Sequence, residues 1–294
     1  MLPRRHIRIK VFQSLYSISH QNDEQNFNIN HEFKANLDSY LNLFQLVVDL
    51  LRITKEIAKS EINIKKQKLI PSDDDLKPNQ RFIHNKILSR IKNKYHYSEQ
   101  EYEKIRSAIK SIFQQIKTSK QYVKYMNHNN HSIEEDKKIV LYILKNYIII
   151  NEKIHNIIED YSIYWNDDLI IVYNMLLEKI NNNQSLNHTK LFRQPDDRLF
   201  ANTLWEKTIK NKEKTSKIIY ELAKNWDKER IAISDLIIMR MAITEMTYIQ
   251  NIPHKVTLDE YIEISKQYST PKSKEFINGI LDVFIKEILL KKNK

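Results

Sequence analysis

Apolar residues recur along this chain at every third or fourth position and almost nowhere at every second, so the pattern predicts helices and no strands. The first predicted helix covers about 2–20. Pro3 suits its opening turn, and Ile7, Val11, Leu15 and Ile18 follow at spacings of four, four and three. A polar, Asn-rich loop is expected over 21–31. Residues 34–63 form one long predicted helix, with Leu37, Leu41, Phe44, Val48 and Leu51 alternating by four and three as in a coiled-coil seam. Pro71, the aspartates at 73–75 and Pro78 then break the pattern. Helices are predicted over about 79–94, 98–117 and 119–127, and two or three more between 132 and 180. A polar linker spans 181–195, and about five helices follow, broken near Asp227, Pro253 and Pro271. Asp167–Asp168 and Asp196–Asp197 read as helix openers, where carboxylates meet the positive end of the helix dipole. A shift of 61 positions aligns Asp136 with Asp197, Trp165 with Trp226 and Ile170 with Ile231. That faint echo fits either a duplicated helical unit or two independent helix pairs.

Composition narrows the chemistry. A chain of 294 residues, 41% of them apolar, can bury the core of one large or two ordinary domains. It has no cysteine, which excludes disulfides and thiolate metal sites, and a single glycine, which excludes the glycine-rich loops that cradle phosphates. No apolar run approaches the roughly 20 residues that cross a membrane. The basic N-terminus lacks the continuous apolar segment of a secretory signal, although its Arg- and Ser-rich character also fits a mitochondrial presequence. The histidines are scattered, and the aspartates at 73–75 read as a charged loop beside prolines. No catalytic signature, metal site or cofactor is therefore expected.

The formal net charge of +11 points to an acidic partner, most often nucleic acid. General lysine enrichment accounts for part of it, so local clusters matter more. Arg4, Arg5, His6, Arg8 and Lys10 crowd into seven residues, with no acid before Asp23. Helical spacing puts Arg4 and Arg8 on one face with Arg5 beside them, while Ile7, Val11 and Leu15 make an apolar stripe. One helix is thus expected to dock by one side and to offer arginines to phosphates from the other.

The only glycine, Gly279, falls inside a predicted helix opened around Thr270–Pro271, whose apolar face is Phe276, Ile277, Ile280, Leu281, Phe284, Ile285 and Ile288. A glycine there costs about 1 kcal/mol relative to alanine. The expected compensation is close packing, with a neighbouring backbone where a side chain would stand.

The C-terminal stretch then becomes recognisable. Trp226, Arg230, Asp235, Arg240, Ala242, Glu245, Ile252–Pro253, Lys255–Val256, Asp259–Glu260 and the run from Phe276 to Asp282 fall in the register of one motif set. This resembles the transcription antitermination factor NusB family, and the Arg-rich opening with Gln13, Leu15 and Tyr16 resembles that family's first helix. The resemblance covers about 1–20 and 194–290. It implies an all-α, NusB-like helical bundle interrupted by a large all-helical insertion, residues 30–190, of unassigned role.

The resemblance further implies a cytoplasmic, non-enzymatic RNA-binding factor. Such a factor recognises a single-stranded boxA-type element in ribosomal RNA leader transcripts. It does so with a small-subunit ribosomal protein, called NusE in that role, within an antitermination complex on RNA polymerase. The RNA contacts it implies are Arg4, Arg5, His6, Arg8, Lys10, Tyr16, Lys272 and Phe276; Lys272 stands where the family often has an acidic residue. Glu229 and Asp235 are implied to face the NusE-type partner. Arg240 and Glu245 are expected to pair and hold two helices, and Asn278 and Gly279 to pack the last one. In the competing reading the protein is a helical interaction scaffold: the insertion is the main binding module and RNA is held without sequence preference.

Overall fold

The computed structural model describes residues 1–20, 29–92, 94–128, 131–224 and 228–289. Of the loop expected over 21–31, residues 29–31 are instead the first turn of a helix, and 21–28, the anchor Trp226, the break at Asp227 and the side chain of Ile288 lie outside the described residues. Every regular element among those described is helical. The chain forms two compact units, one discontinuous (1–37 with 192–294) and one continuous (38–191).

The discontinuous unit contains α1 (Arg4–Ser19), the start of α2 (Ile29–Lys66), α9 (Pro195–Lys210), α10 (Lys212–Leu222), α11 (Ile233–Tyr248), α12 (His254–Tyr268) and α13 (Ser273–Phe284). Its centre is α11. Ile237, Ile238, Met239, Met241, Ala242, Ile243 and Met246 are all buried, and such a helix, apolar on every side, belongs in an interior. Helices α1, α9, α10, α12 and α13 pack around it. Pro195 opens α9 with Asp196 and Asp197 in its first turn, as the sequence predicts. Trp205 of α9 stacks on Phe33, centroids 4.5 Å apart, and its indole N–H donates to Asn30 Oδ1.

The continuous unit contains the rest of α2, α3 (Asp73–Leu76), α4 (Glu99–Thr118), α5 (Lys120–Asn127), α6 (Ile133–Ile143), α7 (Glu152–Tyr161) and α8 (Trp165–Asn181). The aspartates at 73–75 form a short helix rather than a loop, and Ser72 with Asp75 closes a capping box. A second capping box, Ser98 with Glu101, starts α4, whose buried stripe is Ile105, Ile109, Ile112, Phe113 and Ile116. Among the described residues of 79–94 the expected helix does not form, and the helical element there is one 3₁₀ turn, Leu88–Arg90. The cause is competition from side chains, near in sequence for Asn79 and Asn85 and distant for Asp136. Asn85 Oδ1 accepts from the backbone N–H groups of Ile87 and Leu88, Asn79 Oδ1 accepts from that of Arg81, and Asp136 accepts from that of Lys86.

No described helix is long and apolar enough to cross a membrane, and no three His, Cys, Asp or Glu side chains cluster as metal ligands among the described residues.

Candidate nucleic-acid interface

Helix α1 lies along α12 with both chains running the same way, and their contacts form a ladder. On α12, Arg5 and Arg8 sit against Glu260, and Phe12 and Gln13 against Tyr268; Arg8 also reaches Glu245, which belongs to α11. The lower end of this ladder is ionic. Arg5 donates twice to Glu260, Nε to Oε2 and Nη2 to Oε1, each at 2.8 Å. The fork holds the Glu260 carboxyl below its ordinary range, and the carboxylate in turn raises Arg5. Arg4 Nε donates to Asp197 at 3.1 Å, and its guanidinium lies 5.3 Å over the Phe200 ring.

Arg8 turns inward. It is 3% exposed and donates in a bidentate pair to Glu245, at 2.8 and 2.6 Å, over the rings of Phe200 and Tyr261. Glu245 is fully buried and also accepts from Thr257 Oγ1 at 2.9 Å and from the Tyr261 hydroxyl at 3.0 Å. Burial in this nest pushes the Tyr261 hydroxyl well above its ordinary pKa. Lys10 is buried as well and donates to Asn36 Oδ1 at 3.0 Å, and His6 is buried beside it on the same helix.

The sequence-level picture of the first helix therefore needs correction. Of its five expected RNA-facing cations, His6, Arg8 and Lys10 are interior, and Arg4 and Arg5 keep exposure while bound to carboxylates. The reason is packing: α1 meets both α9 and α11, so its buried surface is wider than Ile7, Val11 and Leu15 and takes in His6, Arg8, Lys10, Gln13 and Ser14 as well.

The upper end of the ladder is aromatic and open. Tyr16 is exposed; it stacks on Phe12 with centroids 5.9 Å apart and meets the His20 ring at 4.4 Å. Phe12 in turn packs against Tyr268 at 5.0 Å. Lys272 follows Tyr268 by four residues, so it stands within about 14 Å of it. Lys272 is exposed and stands just before α13 without a side-chain capping bond, and Phe276, one turn further on, is half-buried. Tyr16, Lys272 and Phe276 thus keep accessible surface at the end where α12 passes into α13.

Three other expectations change. Asp235 is buried rather than partner-facing: it accepts from Ser269 Oγ, whose oxygen in turn lies 2.9 Å from Ser273 Oγ, so it ties the turn between α12 and α13 to the start of α11. Glu229 is exposed in a 3₁₀ turn, Lys228–Arg230. Arg240 and Glu245 do not pair; Glu245 is committed to Arg8, and the buried Arg240 Nε has no hydrogen-bond partner among the described residues. Gly279 and Asn278 do not pack the last helix either. Both are exposed, and a Cβ added at Gly279 would meet nothing within 4 Å. Gly279→Ala is therefore expected to stabilise α13 by about 0.5–1 kcal/mol, read as a higher denaturation midpoint; a lower one would restore the packing role.

The sequence model of the NusB family matches residues 166–286. The transcription antitermination protein NusB of Thermodesulfovibrio yellowstonii is 42% identical over 122 residues, 42% of this chain and 80% of that protein. The NusB of Salinibacter ruber is 42% identical over 98 residues, 33% of this chain and 61% of the relative's length. That of Chloroherpeton thalassium is 52% identical over 66 residues, 22% of this chain and 31% of its own. No solved structure matches the chain.

Proposed function

Because this chain belongs to the NusB family, we propose that it is a non-enzymatic, cytoplasmic transcription antitermination factor that binds single-stranded RNA. The proposed target is a boxA-type element in ribosomal RNA leaders. The proposed partners are a NusE-type small-subunit ribosomal protein and, through the pair, the RNA polymerase antitermination complex. The observation that supports the RNA reading most is the aromatic edge of Tyr16, His20 and Tyr268, with the exposed cation Lys272 four residues beyond Tyr268 in the chain. Unpaired bases stack on such rings, and sequence-specific recognition of RNA works mostly on single strands.

The arginines of α1 support this edge rather than carry it. Arg5 is half exposed, so its guanidinium keeps an open side for a phosphate while it holds Glu260, whose carboxylate is only 20% exposed. Arg8 and Lys10 have no such exchange open to them, since their charges are satisfied inside the fold. Their part in the proposal is to fix the position of α1 and hence of Tyr16.

The test is a titration with a single-stranded leader RNA and with a scrambled one, with and without the NusE-type protein, at two salt concentrations. Tyr16→Ala and Phe276→Ala are each expected to weaken leader binding by about 1–3 kcal/mol, the usual worth of a base–aromatic stack. Lys272→Ala is expected to lower the affinity for both RNAs and to flatten the salt dependence by about one counterion. Equal binding of the two RNAs, lost with modest salt, would reject the boxA reading and favour the scaffold.

A further inference from the structure

In the continuous unit, the chain between the 3₁₀ turn Leu88–Arg90 and α4 gathers one sign of charge. From 76 to 98 the sequence has six lysines and arginines and no Asp or Glu. Arg81 is buried and bound to Glu135. Arg90, Lys92 and Lys94 differ: all three are exposed, and none is paired with a carboxylate among the described residues. Ile91 is 7% exposed on an extended backbone, φ −76° and ψ 114°, so it turns inward and sets Arg90 and Lys92 outward. Each cation is two residues from the next, so their Cα atoms follow one another within about 7 Å.

The backbone under these cations is tied down. Asn187 spans it: its side-chain oxygen accepts from the Lys92 N–H at 2.7 Å, and its amide donates to the Arg90 carbonyl at 2.8 Å. Lys179 of α8 holds the chain around Asn187 through the carbonyls of Ser185 and His188. A row of charges on fixed backbone loses less entropy on binding than charges on a loose loop.

The field around the row is positive. Lys55 Nζ donates to Ser89 Oγ at 2.9 Å, next to Arg90 in the chain, and its pKa is lowered by burial and by the like charge of Lys59. The carboxylate beside it, Glu56, is bound to Arg52. The acids that follow, Glu99, Glu101 and Glu103, open α4, and Glu101 closes the capping box with Ser98. They bound the site on that side and leave the cations before it uncompensated.

Rings follow the cations directly. His96 is exposed. Tyr95 is half-buried, its ring centroid 4.9 Å from that of Tyr97 and 6.1 Å from that of Tyr161. Cations next to rings that keep accessible surface suit a ligand in which phosphates and unpaired aromatic bases alternate. An acidic peptide or an anionic membrane would use the cations and leave the rings without a partner.

We infer that Arg90, Lys92, Lys94, Tyr95 and His96 form a second binding site for single-stranded RNA, on the inserted unit. The cations hold successive phosphates, and Tyr95 and His96 take a base. That the strand is RNA rests on the function proposed above; that it is a single-stranded nucleic acid rests on this segment alone. Phosphate contacts carry no sequence information, so the site holds any sequence.

The probe is a single-stranded uridine oligomer titrated onto the full chain over a salt series. Arg90→Ala/Lys92→Ala/Lys94→Ala should weaken binding at least about tenfold at low salt and reduce the salt slope by about two. A control of equal charge loss at exposed positions of the other unit, Lys210→Ala/Lys212→Ala/Lys214→Ala, should change it far less. His96→Ala should weaken binding about fivefold with the slope unchanged, since a stack releases no counterion. All these positions are exposed, so melting temperatures should match that of the parent chain. On the unaltered chain, a photoreactive thiouridine oligomer should cross-link to Tyr95 or His96. The leader-to-scrambled ratio, which tests the boxA reading, should stay the same in the triple variant. Cross-links confined to the other unit, a triple variant that binds like the parent, or an equal loss in the control would each overturn the inference. So would triple-variant-sensitive binding to phosphatidylserine vesicles without binding of the oligomer, which would assign the row to a membrane surface.

Discussion

Glu245→Ala is expected to destabilise the discontinuous unit by about 3–5 kcal/mol, the cost of breaking a buried ion pair by removing one partner. Glu245 lies at the junction of three helices: its two oxygens accept from Arg8 on α1, from Thr257 and Tyr261 on α12, and the residue itself belongs to α11. Its removal leaves a guanidinium that is 3% exposed with only Glu260 at 3.6 Å, and orphans two buried hydroxyls. The orphaned hydroxyls add their own desolvation penalty. The double variant Glu245→Met/Arg8→Met removes charge and acceptor together, and should recover a large part of the loss, since paired apolar replacements of buried ion pairs are often close to neutral. Urea denaturation followed by amide exchange in α1 and α11 would measure both. A single variant that costs less than about 1 kcal/mol would show that Arg8 reaches water or another carboxylate easily, and the junction would lose its structural role.

The same nest shows how far the sequence could be read. Most helices of the discontinuous unit are visible in the spacing of apolar residues and in the breaks between them, and so is the opening of α9, because periodicity and caps are local; the first turn of α2, at 29–31, is not. The partners of α1 were not. Arg8 and Glu245 are 237 positions apart, and nothing in a single sequence connects them. The expected pair Arg240–Glu245 could have been doubted from geometry alone. Residues five apart on a helix stand about 140° apart round its axis, whereas three or four apart share a face.

Two other misreadings have distinct causes. Gly279 was expected to sit under a neighbouring backbone because a helical glycine needs compensation, but composition does not show which side of a helix faces in, and this one faces out. The helix expected over 79–94 failed because Asn79, Asn85 and Asp136 compete for backbone N–H groups, and Asp136 does so from 50 residues away.

Arg240→Met is expected to act in the opposite sense to Glu245→Ala and to stabilise the protein, by about 1–3 kcal/mol. Arg240 sits on the central helix α11, 7% exposed, and no described carboxylate is paired with it. Burial pushes its guanidinium down to about 10. A displacement of that size from the ordinary value corresponds to on the order of 3 kcal/mol between the charged and neutral forms. The sign follows from linkage. The folded state holds its proton more weakly than the unfolded chain, so the penalty is fully present below a pH of about 10 and fades as pH rises through that value. At neutral pH the charge is a net cost that a methionine of similar length does not carry, and its flexible thioether can fill the same space among apolar neighbours. The measurement is the denaturation midpoint of Arg240→Met beside that of Arg240→Lys, which keeps the charge and should gain nothing. A marked loss of stability in the methionine variant would mean that the guanidinium has an anionic partner after all, and Arg240 would then count as part of a binding site rather than as an uncompensated charge in the core.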